Sequence, residues 1–381
     1  GARGGSLVMH AGISLSEGSI GGGVSIQSGA GTVNDGSITI KSSDASSAAG
    51  GSSGDLTLTT GEAALGSSGS ISINTQGSAT GNVGHITLSA GVGTSSGGNV
   101  RLAAGDSTGE FGGVGGSVFI QSGRGDSTSG DVSIQAVASD VSEGGDVLVK
   151  SGASSVGNSG SIVLESGNAP EGGTTGNVVL SAGAAFGGQA GNILISAGNV
   201  EGEGGGGVSS GGSISLTSGS GSEEAKGGTL EIQTALSEMG NSGDIDLKTG
   251  QSALASGGIR VGTGASQVSS GDVIIKIGES AAGSGGSVQI TGGDGAGETE
   301  TTTGGSIHIQ SGASASGTSG GVSLRTGSSV AESGSSGSVT VETGDSSIGS
   351  TGILSVQTGS SLGEETGASG SIVLQTGAST G

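Results

Sequence analysis

The sequence predicts an all-β fold, an elongated parallel β-solenoid, on three observations. A unit of the form Gly-x-aliphatic-x-aliphatic-x-small-Gly recurs 24 times in 381 residues, as in Gly160-Ser161-Ile162-Val163-Leu164-Glu165-Ser166-Gly167 and Gly337-Ser338-Val339-Thr340-Val341-Glu342-Thr343-Gly344. The two aliphatics stand two residues apart in every copy, the signature of a strand with one covered face. Glycine occupies the position two before the first aliphatic in all 24 copies, from Gly5 to Gly370, and the position five after it in 20. Such positions suit a positive φ or a close backbone approach at turns. Glycine this dense excludes a helix, at roughly 1 kcal/mol per interior Gly.

Other classes fall away on composition. The chain has 92 Gly but one Pro (Pro170), and Gly does not recur at every third position, so it is not collagen. Hydrophobic residues make up 30%, almost all Val, Ile, Leu and Ala, which is too apolar for a disordered chain. Aromatics are confined to Phe111, Phe119 and Phe186, and Cys is absent, which removes disulfide and thiol chemistry. Ten Lys and Arg against 32 Asp and Glu give a net charge of −22, which argues against nucleic acid and anionic membranes as partners. No apolar run approaches the ~18 residues of a membrane span, and no basic-then-apolar signal opens the chain. It begins at Gly1 without Met and ends inside the pattern, which reads as a processed protein or a segment of a longer one.

Taken in order, the first aliphatics are Leu7, Val24, Ile38, Leu56, Ile71, Ile86, Val100, Val118, Val132, Val147, Ile162, Val178, Ile193, Ile214, Leu230, Ile245, Ile259, Val273, Val288, Ile307, Val322, Val339, Leu354 and Ile372. Odd-numbered intervals between them run from 14 to 21 residues and even-numbered ones only from 14 to 16. The alternation predicts coils of two repeats, with one tight and one permissive turn each. About 12 such coils would stack at ~4.8 Å into a rod of roughly 58 Å. The alternative is 24 single-repeat coils, spanning roughly 115 Å at the same spacing. On either form residues 1–381 make one continuous solenoid, with 48 inward aliphatics sharing a thin core. The small residue after each strand, Ser, Thr or Ala in 22 copies, narrows that core at its end. Neither terminal coil has a polar cap, so the open edges would bind another copy or the rest of the chain.

Side chains facing outward are the candidate working surface. Lys41, Arg101, Lys150, Lys248, Arg260, Lys276 and Arg325 lie there, with Glu165, Glu231, Asp246 and Glu342 among them. They read as a solvated mixed-charge face that suppresses aggregation. On the two-repeat coil, Phe119, Leu148 and Val179 would form an outward apolar ladder in successive coils, with Ile274 and Val373 further along. This ladder is the candidate lateral interface.

Metal and catalytic chemistry find little footing. The acidic pairs Glu201/Glu203, Glu223/Glu224, Glu298/Glu300 and Glu364/Glu365 fall in turns, but hard cations need six to eight converging oxygens. Gly292-Gly293-Asp294-Gly295-Ala296-Gly297 lacks the alternating Gly and Asp of calcium-binding nonapeptides. His10, His85 and His308 are far apart in sequence, each in its own coil, where no nucleophile is paired with a base. The Gly-x-Gly triplets have no following helix to form a nucleotide loop. Outward rows mixing Lys, Gln, Glu, Val and Ser do not make the regular Thr face of an ice binder. No cofactor, no metal and no catalytic residue is expected.

Units such as Gly191-Asn192-Ile193-Leu194-Ile195-Ser196-Ala197-Gly198 and Gly130-Asp131-Val132-Ser133-Ile134 resemble the strand units of filamentous-haemagglutinin-type β-helices. The Ser/Gly/Thr-rich style of the whole chain resembles the long repeat proteins of diatoms and related algae. Alternating intervals and scarce Asn ladders depart from the haemagglutinin pattern. The resemblance implies a secreted or cell-surface fibrous protein for adhesion or scaffolding. The function expected is a non-catalytic building block of an extracellular filament or surface appendage, stacking end to end through open solenoid edges. Other extracellular matrix or surface components are further expected partners. The alternative is a surface adhesin that binds glycans or a solid surface through outward ladders and variable loops, chiefly Asn199 to Gly212 and Asp294 to Gly305.

Overall fold

A computed structural model of the chain describes residues 4–45, 51–108, 112–141, 143–170, 172–200, 210–222, 225–297, 302–330, 333–362 and 367–378. Two units are resolved, Gly1–Leu194 and Ile195–Gly381, and the same local geometry runs through each. Each aliphatic pair lies on a segment of irregular chain, and each segment ends in a turn that carries the chain to the next.

Among the described residues there is no helix and no β-strand. This corrects the expected all-β parallel solenoid in both forms, the 12 coils of two repeats and the 24 single-repeat coils. A strand exists only where a second stretch of backbone runs ~4.8 Å away and takes up its N–H and C=O groups. The described backbone joins successive segments by one hydrogen bond at most, where the turn begins and ends, and two turns hold one more inside them, from Ser19 to Ser16 and from Ala225 to Ser222. Period-2 patterning therefore alternates the side chains without supplying a neighbour to pair with. With no coils there are no solenoid edges, and end-to-end stacking through them loses its basis.

The expected core is corrected as well. No described residue is buried, and the segments' first aliphatics are exposed by between 50% (Ile38, Ile162 and Ile193) and 65% (Val322), with Leu7 higher still at 88%. The second aliphatics are barer, from 61% at Ile26 to 94% at Leu374. The chain exposes 37907 Å². A folded monomer of its 34.8 kDa would expose about 13,000 Å². The least exposed described residues are small: Ala11, Ser28, Ser42, Ser122, Ala136, Ser151, Ser166, Ala197, Gly292, Ser311 and Thr326 stand four after a first aliphatic, at the mouth of a turn, and Ala169 seven after one.

Candidate functional site

The recurring structure is the neck of each turn. There the small residue that ends one segment meets the glycine that opens the next. A β-carbon on Gly98 would lie 3.1 Å from Ala90 Cβ, one on Gly116 3.2 Å from Ala104 Cβ, and one on Gly212 3.2 Å from Ala197 Cβ. The same facing pair closes all 23 turns between copies, from Ala11/Gly22 to Thr358/Gly370, with Gly292 and Ile277 standing in for the usual small residue before Gly305 and Gly286. Close approach accounts for this glycine at the nine necks where the β-carbon would stand under 3.4 Å from its nearest neighbour, and at the other fourteen it would make ordinary contact, at 3.4–3.9 Å. The alternative of a positive φ is set aside, because the described glycines with positive φ are Gly18, Gly112, Gly172 and Gly187, all at other places in the turns.

The second fixed glycine, five after the first aliphatic, has no such reason. Gly12, Gly29, Gly91 and Gly152 have nothing within 4 Å of an added β-carbon, and Val137 fills the position without disturbing its neck. Nothing in the structure explains glycine there.

Eleven necks are closed by a backbone hydrogen bond in which the facing glycine donates its N–H to the carbonyl of this second position. Gly36 donates to Gly29 at 2.8 Å, Gly116 to Gly105 at 2.9 Å, and Gly145 to Val137 at 3.2 Å. Each of the eleven carries Ala, Ser or Gly at the neck. None of the necks carrying Thr (Thr60, Thr75, Thr234, Thr249, Thr263, Thr326, Thr343 and Thr358) has the bond, nor has the neck of Ile277. In these the Cγ2 methyl itself faces the glycine, and a β-carbon on Gly69 would stand 3.5 Å from that of Thr60. The β-branch acts as a spacer that stops the two backbones short of bonding distance. Ser42, Ser166 and Ala182 also lack the bond, and nothing in the structure explains those three.

Beyond the neck, the residue seven after the first aliphatic shapes many of the turns. In six of the nine 15-residue intervals, a serine hydroxyl at this position accepts from the amide of a glycine three residues on: Ser78 from Gly81, Ser154 from Gly157, Ser237 from Gly240, Ser280 from Gly283, Ser314 from Gly317 and Ser346 from Gly349, at 2.9–3.1 Å. Ala63 and Ala185 hold it in two of the remaining three. In three 14-residue intervals the position is Gly31, Gly93 or Gly125, where a β-carbon would overlap the carbonyl oxygen of Asn34, Ser96 or Thr128. Ser252 and Ser266 take it in two others, accepting from the amides of Leu254 and Val268. Sequence reasoning missed this position, although Ser-x-x-Gly at a constant offset was legible.

Of the candidate interface residues, Phe119 is 90% exposed, Leu148 87% and Val179 79%. All three stand largely open, and the ladder that would have joined them depended on the two-repeat coil. The acidic pairs Glu201/Glu203, Glu223/Glu224, Glu298/Glu300 and Glu364/Glu365 lie outside the described residues, as do Phe111 and most of Asn199 to Gly212. Within Gly292–Gly297 three glycines answer to crowding and Gly293 does not: a β-carbon on Gly292 would meet the Gly305 carbonyl at 2.6 Å, one on Gly295 the Thr303 carbonyl at 2.9 Å and one on Gly297 the Thr302 hydroxyl at 2.6 Å. Outward charges pair locally, Lys248 with Asp246 at 2.7 Å and Lys41 with Asp44 at 3.5 Å, all largely exposed. His308 Nε2 lies 3.1 Å from Gln310 Oε1. The described residues enclose no cavity, no three of His, Asp and Glu among them converge, and no helix among them is long and apolar enough to cross a membrane.

The geometry defines a glycine-necked repeat chain with bare aliphatic segments. No family model, curated protein or solved structure matches it.

Proposed function

We propose that the chain is a structural, non-catalytic building block of an extracellular filament or cell-surface appendage, and that copies of it supply one another's missing core. The observation that carries this reading is the burial: 24 aliphatic pairs, and not one residue of them buried. Each such side chain gains roughly 1.5–3 kcal/mol on full burial. Apolar surface on this scale marks a contact with something else. The extracellular setting rests on the resemblance to fibrous repeat proteins alone.

Sedimentation and electron microscopy of the purified chain over a concentration series test the reading. Fibrous assemblies that lose their affinity for an apolar dye as they form are the expected result. A monomer at every concentration and salt, still binding the dye, would overturn it.

A further inference from the structure

The necks divide the chain into two territories of different charge. Stretches from one residue before each first aliphatic to three after it hold seven bases and nine acids, whereas the intervals between them hold two bases and 23 acids, with Arg3 ahead of the first stretch. The segments are thus close to neutral, and in one of them Lys248 pairs with Asp246 at 2.7 Å. Nearly all of the chain's −22 belongs to the intervals.

The extent of exposed surface limits what can cover the segments. Bringing 37907 Å² down to that of a folded chain means hiding roughly 25,000 Å², many times the ~1,600 Å² of an ordinary interface. A partner docking at one patch would leave most segments bare. The aliphatic pairs also recur at irregular intervals of 14 to 21 residues, so the partner must repeat that series. A second copy aligned in register does so by identity, and brings near-neutral segment against near-neutral segment. The same alignment brings acidic interval beside acidic interval, which repel until dissolved ions screen them.

Resting on the self-associating reading above, we propose that a second copy of this chain covers the segments in register, that the acidic intervals stay in water outside the contact, and that screening of their charge switches assembly on.

The chain has no Cys, so one introduced thiol reports one place. Full-length Leu164→Cys (segment) and Ala64→Cys (interval) chains are labelled with a maleimide while NaCl is raised, shortening the screening length from about 30 Å at 0.01 M towards about 3 Å at 1 M. Light scattering should rise with salt, and labelling should slow about tenfold at the segment thiol while staying unchanged at the interval thiol. A chain carrying Glu62→Gln, Asp106→Asn, Asp140→Asn, Glu238→Gln, Glu279→Gln and Asp345→Asn should assemble at roughly half the salt. Assembly indifferent to salt and to these substitutions would overturn the switch while leaving self-association standing. Protection of both thiols would overturn the segment-only contact. Assembly that needs stoichiometric Ca²⁺ or Mg²⁺ and ignores NaCl would overturn screening in favour of a bound ion. No assembly under any condition would overturn this proposal together with the reading it rests on.

Discussion

Ser28 and Gly36 face each other across a turn so closely that a β-carbon on Gly36 would stand 3.3 Å from Ser28 Cβ, while the Gly36 N–H donates to the Gly29 carbonyl at 2.8 Å. Gly36 is held there by space, and Gly29 is not, since nothing lies within 4 Å of it. The two glycines of one repeat should therefore respond differently. Gly36→Val should raise amide exchange at position 36 about fivefold, the loss of a bond worth about 1 kcal/mol. Gly29→Ala should leave that rate unchanged. Equal effects would refute the assignment of the neck to close approach.

The residue at the neck should decide whether the bond forms. Thr60→Ala removes the methyl that stands 3.5 Å from a β-carbon on Gly69, so Gly69 should gain a bond to Gly61 and exchange more slowly. Ala104→Thr should do the opposite to Gly116, which now donates to Gly105 at 2.9 Å. Changes of about fivefold are expected in each direction. Parallel changes, or none, would show that the β-branch is not the spacer.

Serine caps should hold the 15-residue turns. Ser78→Ala deletes the oxygen that accepts from Gly81 at 3.0 Å, and Ser314→Ala the one that accepts from Gly317 at 2.9 Å. Exchange at Gly81 and Gly317 should quicken by up to about fivefold, with the necks at Gly84 and Gly320 unaffected. Spread of the effect to the necks would show the two elements to be coupled.

Aliphatic rows should govern self-association. Ile162→Asp with Leu164→Asp places two charges where apolar burial would gain roughly 1.5–3 kcal/mol per side chain. The concentration needed for assembly should rise at least about tenfold. Glu165→Gln on the same segment should change it little. An unaltered threshold for the double Asp variant would remove the segment as the contact.

Position was legible in the sequence and pairing was not. The spacing around Ile162 located segment, small residue and glycines, because those are local demands of one turn on its own residues. Parallel pairing is a statement about a second stretch of chain, and Ile162 with Leu164 alternate in the same way whether that stretch is present or absent. The neck itself was half legible. Ser166 and Gly176 were each recognised as fixed in kind, but as the taper of a core and as turn punctuation, not as two halves of one contact. Loop selection at Ser78 and Gly31 was missed because different residues, each apt for its own turn length, occupy one place and blur the repeat.

The closing bond spans seven residues between Gly29 and Gly36 and 14 between Gly198 and Gly212, with hardly any change in its length. Doubling a flexible loop adds only about 0.6 kcal/mol to its closure. Insertions and deletions inside a turn should therefore leave neighbouring copies untouched. Such a chain can change the length of its acidic loops while the glycine and its small companion still meet at each mouth.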